Sequence, residues 1–127
     1  MNVPGDLLYT KDHEWIKVEK GLAIVGITEF AQGELGDVVF VQLPSIGQSA
    51  KQGEAFGTIE AVKAVADLYA PISGEIVEVN TVLNDAPETI NREPYGAGWI
   101  VKIKPSNLDA EAKPLLNPAA YTDHTSA

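Results

Sequence analysis

The sequence predicts a mainly β domain with short helices, made of two similar antiparallel half-sheets. Three observations carry that expectation. Short segments of branched and aromatic residues recur along the chain, each closed by Gly, Pro or Asn. Two of them, residues 55–60 and 65–69, flank Ala61, Val62, Lys63 and Ala64 as the arms of a β-hairpin do. Finally, GDVVFV at 36–41 returns as GEIVEV at 74–79, an offset of 38 residues. Each copy leads through a loop to a glycine that opens another strand, Gly57 and Gly98. A duplicated strand–loop–strand unit of this kind builds two half-sheets packed about a pseudo-twofold axis.

In chain order, residues 1–5 carry no pattern and are expected to be loose. Residues 7–10 read as a short edge strand. Over 13–19, Trp15, Lys17 and Glu19 alternate against Ile16 and Val18, the period of a strand. Lys20 and Gly21 turn it back into a more apolar strand over 22–27. Thr28 is an N-cap, Glu29 suits the first turn of a helix, and Phe30, Ala31 and Leu35 give that helix an inward face. Gly33 and Gly36 end it early. A strand over 38–43 is stopped by Pro44, and 45–53 is expected to be loop.

The hairpin around Lys63 follows, then a turn from Pro71 to Gly74 and a strand over 75–79. Residues 81–98 read as irregular, with turn signals at Asn84–Pro87 and at Glu93–Gly96 and one helical turn around 87–91. The last strand spans 99–104, ended by Pro105. Ser106 caps a short helix through Lys113, and Asn117 and Pro118 open another through Tyr121. Residues 122–127 are polar and expected to fray.

Composition bounds the function. The chain has 127 residues and a net charge of −9, the wrong sign for a nucleic-acid binder and suited to docking on basic partner surfaces. It has no cysteine, which excludes disulfides, thiolate catalysis and Cys-based zinc sites. No apolar run is long enough to span a bilayer. His13 and His124 are the only histidines and are far apart in sequence, so no metal site is expected, and His13 reads as a structural strand residue.

Lys63 is the candidate functional residue. No other Lys or Arg lies between Lys51 and Arg92, and the neighbours Ala61, Val62, Ala64 and Val65 are small or β-branched. The turn uses none of the residues that turns usually draw on. Most surface lysines are only solubilising charges; this setting instead favours a lysine presented to a modifying enzyme. A Schiff-base lysine needs a desolvated amine, and a hairpin tip is the opposite environment.

Six segments carry a resemblance: Tyr9 and Thr10 before His13-Glu14-Trp15; Gly26-Ile27-Thr28 before Phe30-Ala31; Leu35-Gly36-Asp37-Val38-Val39; Glu60 with Val62-Lys63; Asp67-Leu68-Tyr69-Ala70-Pro71; and Tyr95-Gly96 before Gly98-Trp99. In that order they resemble the H-protein of the glycine cleavage system over nearly the whole chain. Ala61 stands where the family often has Ser, and the chain beyond Lys113 is richer in proline.

The resemblance implies a lipoyl/biotinyl-type barrel-sandwich hybrid: a single carrier domain over 1–127, with a hairpin extension at 7–27, a core at about 36–104 and short helices at 106–121. It implies a non-catalytic subunit that carries (R)-lipoate in amide linkage on Lys63, with Glu60, Val62 and Ala64 as the hairpin features an attaching enzyme reads. Such an arm reaches about 12–15 Å from the backbone. The implied partners are glycine decarboxylase, aminomethyltransferase and dihydrolipoamide dehydrogenase, with a lipoate ligase or lipoyltransferase to attach the arm. The cargo is a cationic aminomethyl group, so Glu14 and Asp67 are candidates to bind it by charge-assisted hydrogen bonds. The alternative for each is a solvated strand-edge carboxylate.

Two relatives of this reading differ in detail. A lipoyl domain of another multienzyme complex would carry an Ala/Pro-rich linker and a catalytic domain. A biotinyl carrier usually has methionines beside its lysine. A plain protein-binding module is the reading if Lys63 is never modified. The start at Met1 without a presequence suggests a bacterial cytoplasm, and a mitochondrial matrix only for a processed eukaryotic chain.

Overall fold

In the computed structural model, which describes residues 2–126, the first half-sheet grows from the N-terminal hairpin. β1 (Leu8–Tyr9) pairs with β2 (Glu14–Glu19), and β2 turns at Lys20 and Gly21 into β3 (Leu22–Ile27). Helix α1 (Glu29–Leu35) follows, then β4 (Val38–Gln42), β5 (Ser49–Ala50), β6 (Ala55–Ala61), β7 (Val65–Tyr69) and β8 (Gly74–Val79). Two single turns, α2 (Val82–Asp85) and α3 (Thr89–Arg92), lead to β9 (Val101–Pro105). The chain closes with α4 (Leu108–Glu111) and α5 (Pro118–Ser126).

These strands form two antiparallel sheets, ordered β1-β2-β3-β9-β8-β5 and β4-β6-β7. The two are unequal because the N-terminal hairpin zips onto β9, with Ala23 opposite Ile103 and Val25 opposite Val101. All four of these residues are buried in the main core, so the hairpin is continuous with the sheet it enlarges.

The repeat seen in the sequence is a structural one. β4 pairs with β6 and β8 with β9, and each pairing is broken by a bulge at the same place in the repeat, at Val39 and at Val77. A bulge at matched positions bends both strands alike, and it leaves Val38 and Ile76 buried just before it. Ala61 is the partner of Val38, and Ile103 is the partner of Ile76. Two residues further along, Lys63 therefore holds the place in one half that Pro105, opposite Gly74, holds in the other. A Cβ on Gly74 would sit 2.0 Å from the carbonyl oxygen of Lys104, so this crossing admits only glycine.

Several expectations are corrected. β2 does not alternate cleanly: Glu14, Trp15 and Ile16 are all buried and Val18 is 47% exposed. Ile16 joins the main core, while Trp15 joins a second cluster with Leu7, Tyr9 and Tyr121, so this strand is covered on both faces. His13 is a turn residue with φ 74, outside the strand. The loop at 45–53 contains β5, which pairs with β8. The segment 81–98 holds two helical turns, anchored by buried Leu83 and Ile90.

Both ends are held more firmly than their composition suggests. Tyr9 donates its hydroxyl to the carbonyl of Pro4 at 2.6 Å, and Tyr95 donates to that of Asn2 at 2.8 Å. Helix α5 runs on past Tyr121 because Tyr121 stacks on Tyr9, ring centroids 4.5 Å apart, and His124 reaches the carbonyl of Lys11. Met1 and Ala127 lie outside the described residues.

Thr28 ties the two clusters together. It is fully buried, its Oγ1 accepts from the N–H of Ala31 as an N-cap, and it shares a 2.7 Å hydrogen bond with the Tyr121 hydroxyl. Thr28→Ala removes the cap and leaves the tyrosine hydroxyl without that partner. It is expected to lower unfolding stability by about 1–2 kcal/mol, read by denaturant unfolding, with Thr28→Ser retaining most of it.

Candidate functional site

The turn that carries Lys63 is held by its backbone and free in its side chains. The N–H of Ala61 donates to the carbonyl of Ala64 at 2.9 Å, closing the four-residue loop. The N–H of Val62 donates to the carbonyl of Asp37 at 2.9 Å, and that of Lys63 to the carbonyl of Leu35 at 3.1 Å. The turn thus hangs on the segment between α1 and β4. Glu60, Val62, Lys63, Ala64 and Val65 are all exposed, Val62 by 71% and Val65 by 66%. Among the described residues Lys63 makes no ion pair.

Gly36 shapes what lies beneath the lysine. It caps α1 with φ 80, a left-handed conformation that favours glycine. A Cβ there would sit 3.2–3.3 Å from Cγ, Cδ and Cε of Lys63. The absent side chain leaves a bed for the lysine stem, which runs over the backbone toward α1.

Beside that bed opens a cavity of about 150 Å³. Its apolar walls come from both sheets and α1: Ile27, Ala31, Leu35, Ile59, Ala66 and Leu68. Leu35 is both a wall residue and the acceptor for the Lys63 N–H, so the cavity and the lysine turn share that residue. Asp12, Glu14, Glu34 and Asp67 add four carboxylates to the same lining. Glu14 and Asp67, distant in sequence, therefore share one cavity.

Their environments differ sharply. Asp67 is exposed on β7. Glu14 is 2% exposed and is not the solvated edge carboxylate that its position in the sequence also allowed. The Thr10 hydroxyl donates to its Oε1 at 2.5 Å, and the N–H of Tyr69 points to its Oε2 at 3.4 Å. Burial pushes the Glu14 carboxyl up to about 7; these two hydrogen bonds pull the other way but do not offset it. Glu14 also lines a second, wider groove with Thr10, Gln52, Tyr69 and Leu115.

Sequence reasoning missed the cavity walls and the acids Asp12 and Glu34. The available signal was the pair of alanines, Ala31 and Ala66, small residues on inward-facing elements where larger ones would fill the space. It also missed that α5 brings the two histidines together. Their rings lie 5.6 Å apart, His13 Nδ1 meets the Tyr121 hydroxyl at 2.9 Å, and burial, then the nearby His124, lowers the pKa of His13. Among the described residues no group of three or more His, Cys, Asp or Glu side chains is arranged to hold a metal ion.

A family model described as "Glycine cleavage H-protein" matches residues 7–127. The chain belongs to that family. The glycine cleavage system H protein of Symbiobacterium thermophilum is 59% identical over 124 residues, covering 98% of this chain and 96% of the relative. That of Chlorobium phaeovibrioides is 59% identical over 128 residues, with 97% of each covered. The crystal structure of a glycine cleavage system H protein from Mycobacterium marinum superposes with a TM-score of 0.90 at 44% identity, covering 98% of this chain and all of that one. The mainly β barrel-sandwich architecture is thus that of the H-protein fold, and no helix among the described residues is long and apolar enough to cross a membrane.

Proposed function

We propose that this chain is a lipoyl carrier whose arm is built on Lys63, and that Glu14 and Asp67 receive the cargo when the arm rests against the body. As an H-protein it is the lipoyl carrier of the glycine cleavage system. The observation that supports Lys63 is the exposed lysine on a backbone-pinned turn, with a glycine bed beneath its stem and a mostly apolar cavity that shares Leu35 with the turn's hydrogen bonds. These residues fit lipoate: Lys63 Nζ for the amide, and Ile59, Ala66 and Leu35 for its hydrocarbon and ring. Bound lipoate supplies a dithiolane that takes up the aminomethyl group of glycine with reduction and is reoxidised after unloading.

The chain's own residues do the rest. The turn presents the arm to glycine decarboxylase, aminomethyltransferase and dihydrolipoamide dehydrogenase in succession, and tethering keeps it at high effective concentration for each. Glu60, Val62 and Ala64 offer the attaching enzyme, a ligase or lipoyltransferase, an acid and two small apolar groups around the target amine. Glu14 supplies a desolvated negative charge for the cargo's ammonium. As a member of the H-protein family the chain acts as a carrier subunit. The bacterial relatives favour a bacterial cytoplasm.

Intact mass with peptide mapping tests this. Protein exposed to lipoate and an attaching enzyme gains one lipoyl group, on Lys63 alone. A biotinyl mass, no addition, or a lipoyl group on another lysine overturns the assignment. Because Asp67 is exposed, where an ion pair is weak and screened by salt, Asp67→Asn is expected to quicken loss of cargo from purified loaded protein by no more than about fivefold. Sensitivity of that effect to salt concentration is the check.

A further inference from the structure

We propose that Asn91 is the positioning residue for the Lys63 turn: its side-chain amide takes the place of a neighbouring strand along residues 35–38 and fixes the segment from which the lysine hangs. Asn91 sits in α3, well away from Lys63 in the sequence. Its Nδ2 donates to the carbonyl of Gly36 at 2.9 Å and to Oε1 of Gln32 at 3.0 Å, and its Oδ1 accepts from the N–H of Val38 at 2.9 Å. The orientation of the amide is fixed by its partners, since a carbonyl can only accept and an N–H can only donate.

The hydrogen bonds along this segment alternate in direction. The carbonyls of Leu35 and Asp37 face the turn and accept from Lys63 and Val62. The carbonyl of Gly36 and the N–H of Val38 face the other way and meet Asn91. An extended backbone presents successive groups to opposite edges, so one edge serves the lysine and the other needs a partner. Asn91 provides both a donor and an acceptor at that edge, spanning Asp37 as a peptide unit of a paired strand would. Gln32, itself the acceptor of the Gly36 N–H at the end of α1, completes the clamp. Helix end, lysine turn and Asn91 thereby form one unit.

The consequence for acylation rests on Lys63 being the acylated residue. An enzyme that modifies a lysine recognises the turn in one conformation. If that conformation is populated only in part, apparent affinity falls by the same fraction. Loosening the 35–38 segment therefore raises KM for the protein substrate and leaves kcat in place.

The test uses the full unlipoylated chain, with Asn91→Asp, which sets an oxygen against the Gly36 carbonyl, and Ile90→Val as control. Ile90 is on the same helix but fully buried in the core, so its variant loses stability without touching the clamp. Native-state amide exchange is expected to quicken on the order of tenfold at Val62, Lys63 and Val38 in Asn91→Asp, and not in Ile90→Val. With lipoate, ATP and a lipoate ligase, KM for the protein rises by the factor by which the competent turn is depopulated, while kcat stays within about twofold. Should Asn91→Asp not fold, Asn91→Ser, which loses the amide donors without adding charge, is read in its place. Turn amides that exchange as in the parent, or equally fast in Ile90→Val, overturn the proposal. Faster exchange with KM unmoved overturns the consequence for acylation and leaves Asn91 as the residue that holds the turn. If the parent is not acylated at Lys63, the proposed function fails, and the exchange comparison alone decides whether Asn91 holds the turn.

Discussion

Lys63→Arg is expected to fold with the stability of the parent and to take up no lipoate. The first half follows from the surroundings of the residue. Its side chain is in solvent and, among the described residues, makes no ion pair. Substitutions at such positions usually change stability by no more than about 0.5 kcal/mol. An arginine stem still finds the bed over Gly36, and the turn's hydrogen bonds are all backbone. The second half is chemical. A guanidinium stays protonated at any working pH and offers no free amine to acylate.

Lys51 is the instructive control. It too is exposed on a turn, but it pairs loosely with Glu54 at 3.7 Å, and the glycine of its turn, Gly53, has no side chain lying over it. Lys51→Arg is expected to leave lipoylation complete. The measurement is intact mass beside a thermal unfolding curve for each variant. Lipoyl mass persisting in Lys63→Arg, or lost in Lys51→Arg, would remove the arm from Lys63.

The parts of this fold that were legible in the sequence are those written as local pattern. The hairpin around Lys63 is bounded by two apolar runs, and β6 and β7 form there. The echo of GDVVFV in GEIVEV carries even the bulge, since a shared strand sequence bends in a shared way. What was not legible depends on distant partners. β5 is two residues long and exists because β8 has a free edge beside it. The inequality of the sheets follows from β3 meeting β9, which no local period announces. Residues 122–126 look like a frayed tail until Tyr121 finds Tyr9 and Thr28.

The candidate site divides in the same way. Lys63 and its turn were visible as composition. The cavity was not, because its walls come from five separate segments. Glu14 was named for its motif, but its burial comes from β2 being covered on both faces, by the main core on the Ile16 side and by Tyr9 and Tyr121 on the other. That burial turns an ordinary carboxylate into a group whose ionisation opposes folding.

Glu14→Gln is expected to stabilise the fold and to shorten the life of the loaded arm. For stability, the sign follows from the raised pKa. In the folded chain Glu14 titrates at about 7, against its ordinary 4.5, so the fold favours the protonated carboxyl. Its favourable contribution is complete below pH 4.5, declines as pH rises through the window up to about 7, and is gone above it. At about 1.4 kcal/mol per pH unit, ionising Glu14 at pH 8 costs the folded state about 3 kcal/mol. Glutamine has the shape of the protonated acid and never ionises, although its amide nitrogen, a donor only, replaces one of two oxygens that accept from Thr10 and Tyr69. The stability of the variant relative to the parent is therefore expected to rise by about 3 kcal/mol between pH 4.5 and pH 8, as read by denaturant unfolding at both pH values.

For function the same charge acts in the opposite sense. A cargo ammonium in the cavity needs the ionised carboxylate, and a partly buried charge-assisted hydrogen bond contributes about 1.5–3 kcal/mol. Without it, loaded protein at pH 8 should release ammonia and formaldehyde about ten- to a hundredfold faster at equal lipoylation. The parent should approach the variant's rate toward acid pH, and only below the range in which Glu14 titrates without cargo, because the bound ammonium favours the ionised carboxylate. A carboxylate with only a structural part would show the gain in stability without the faster decay. A solvated carboxylate would show neither. Both effects together, each fading toward acid pH, identify Glu14 as a charge kept at a cost to the fold because the cargo requires it.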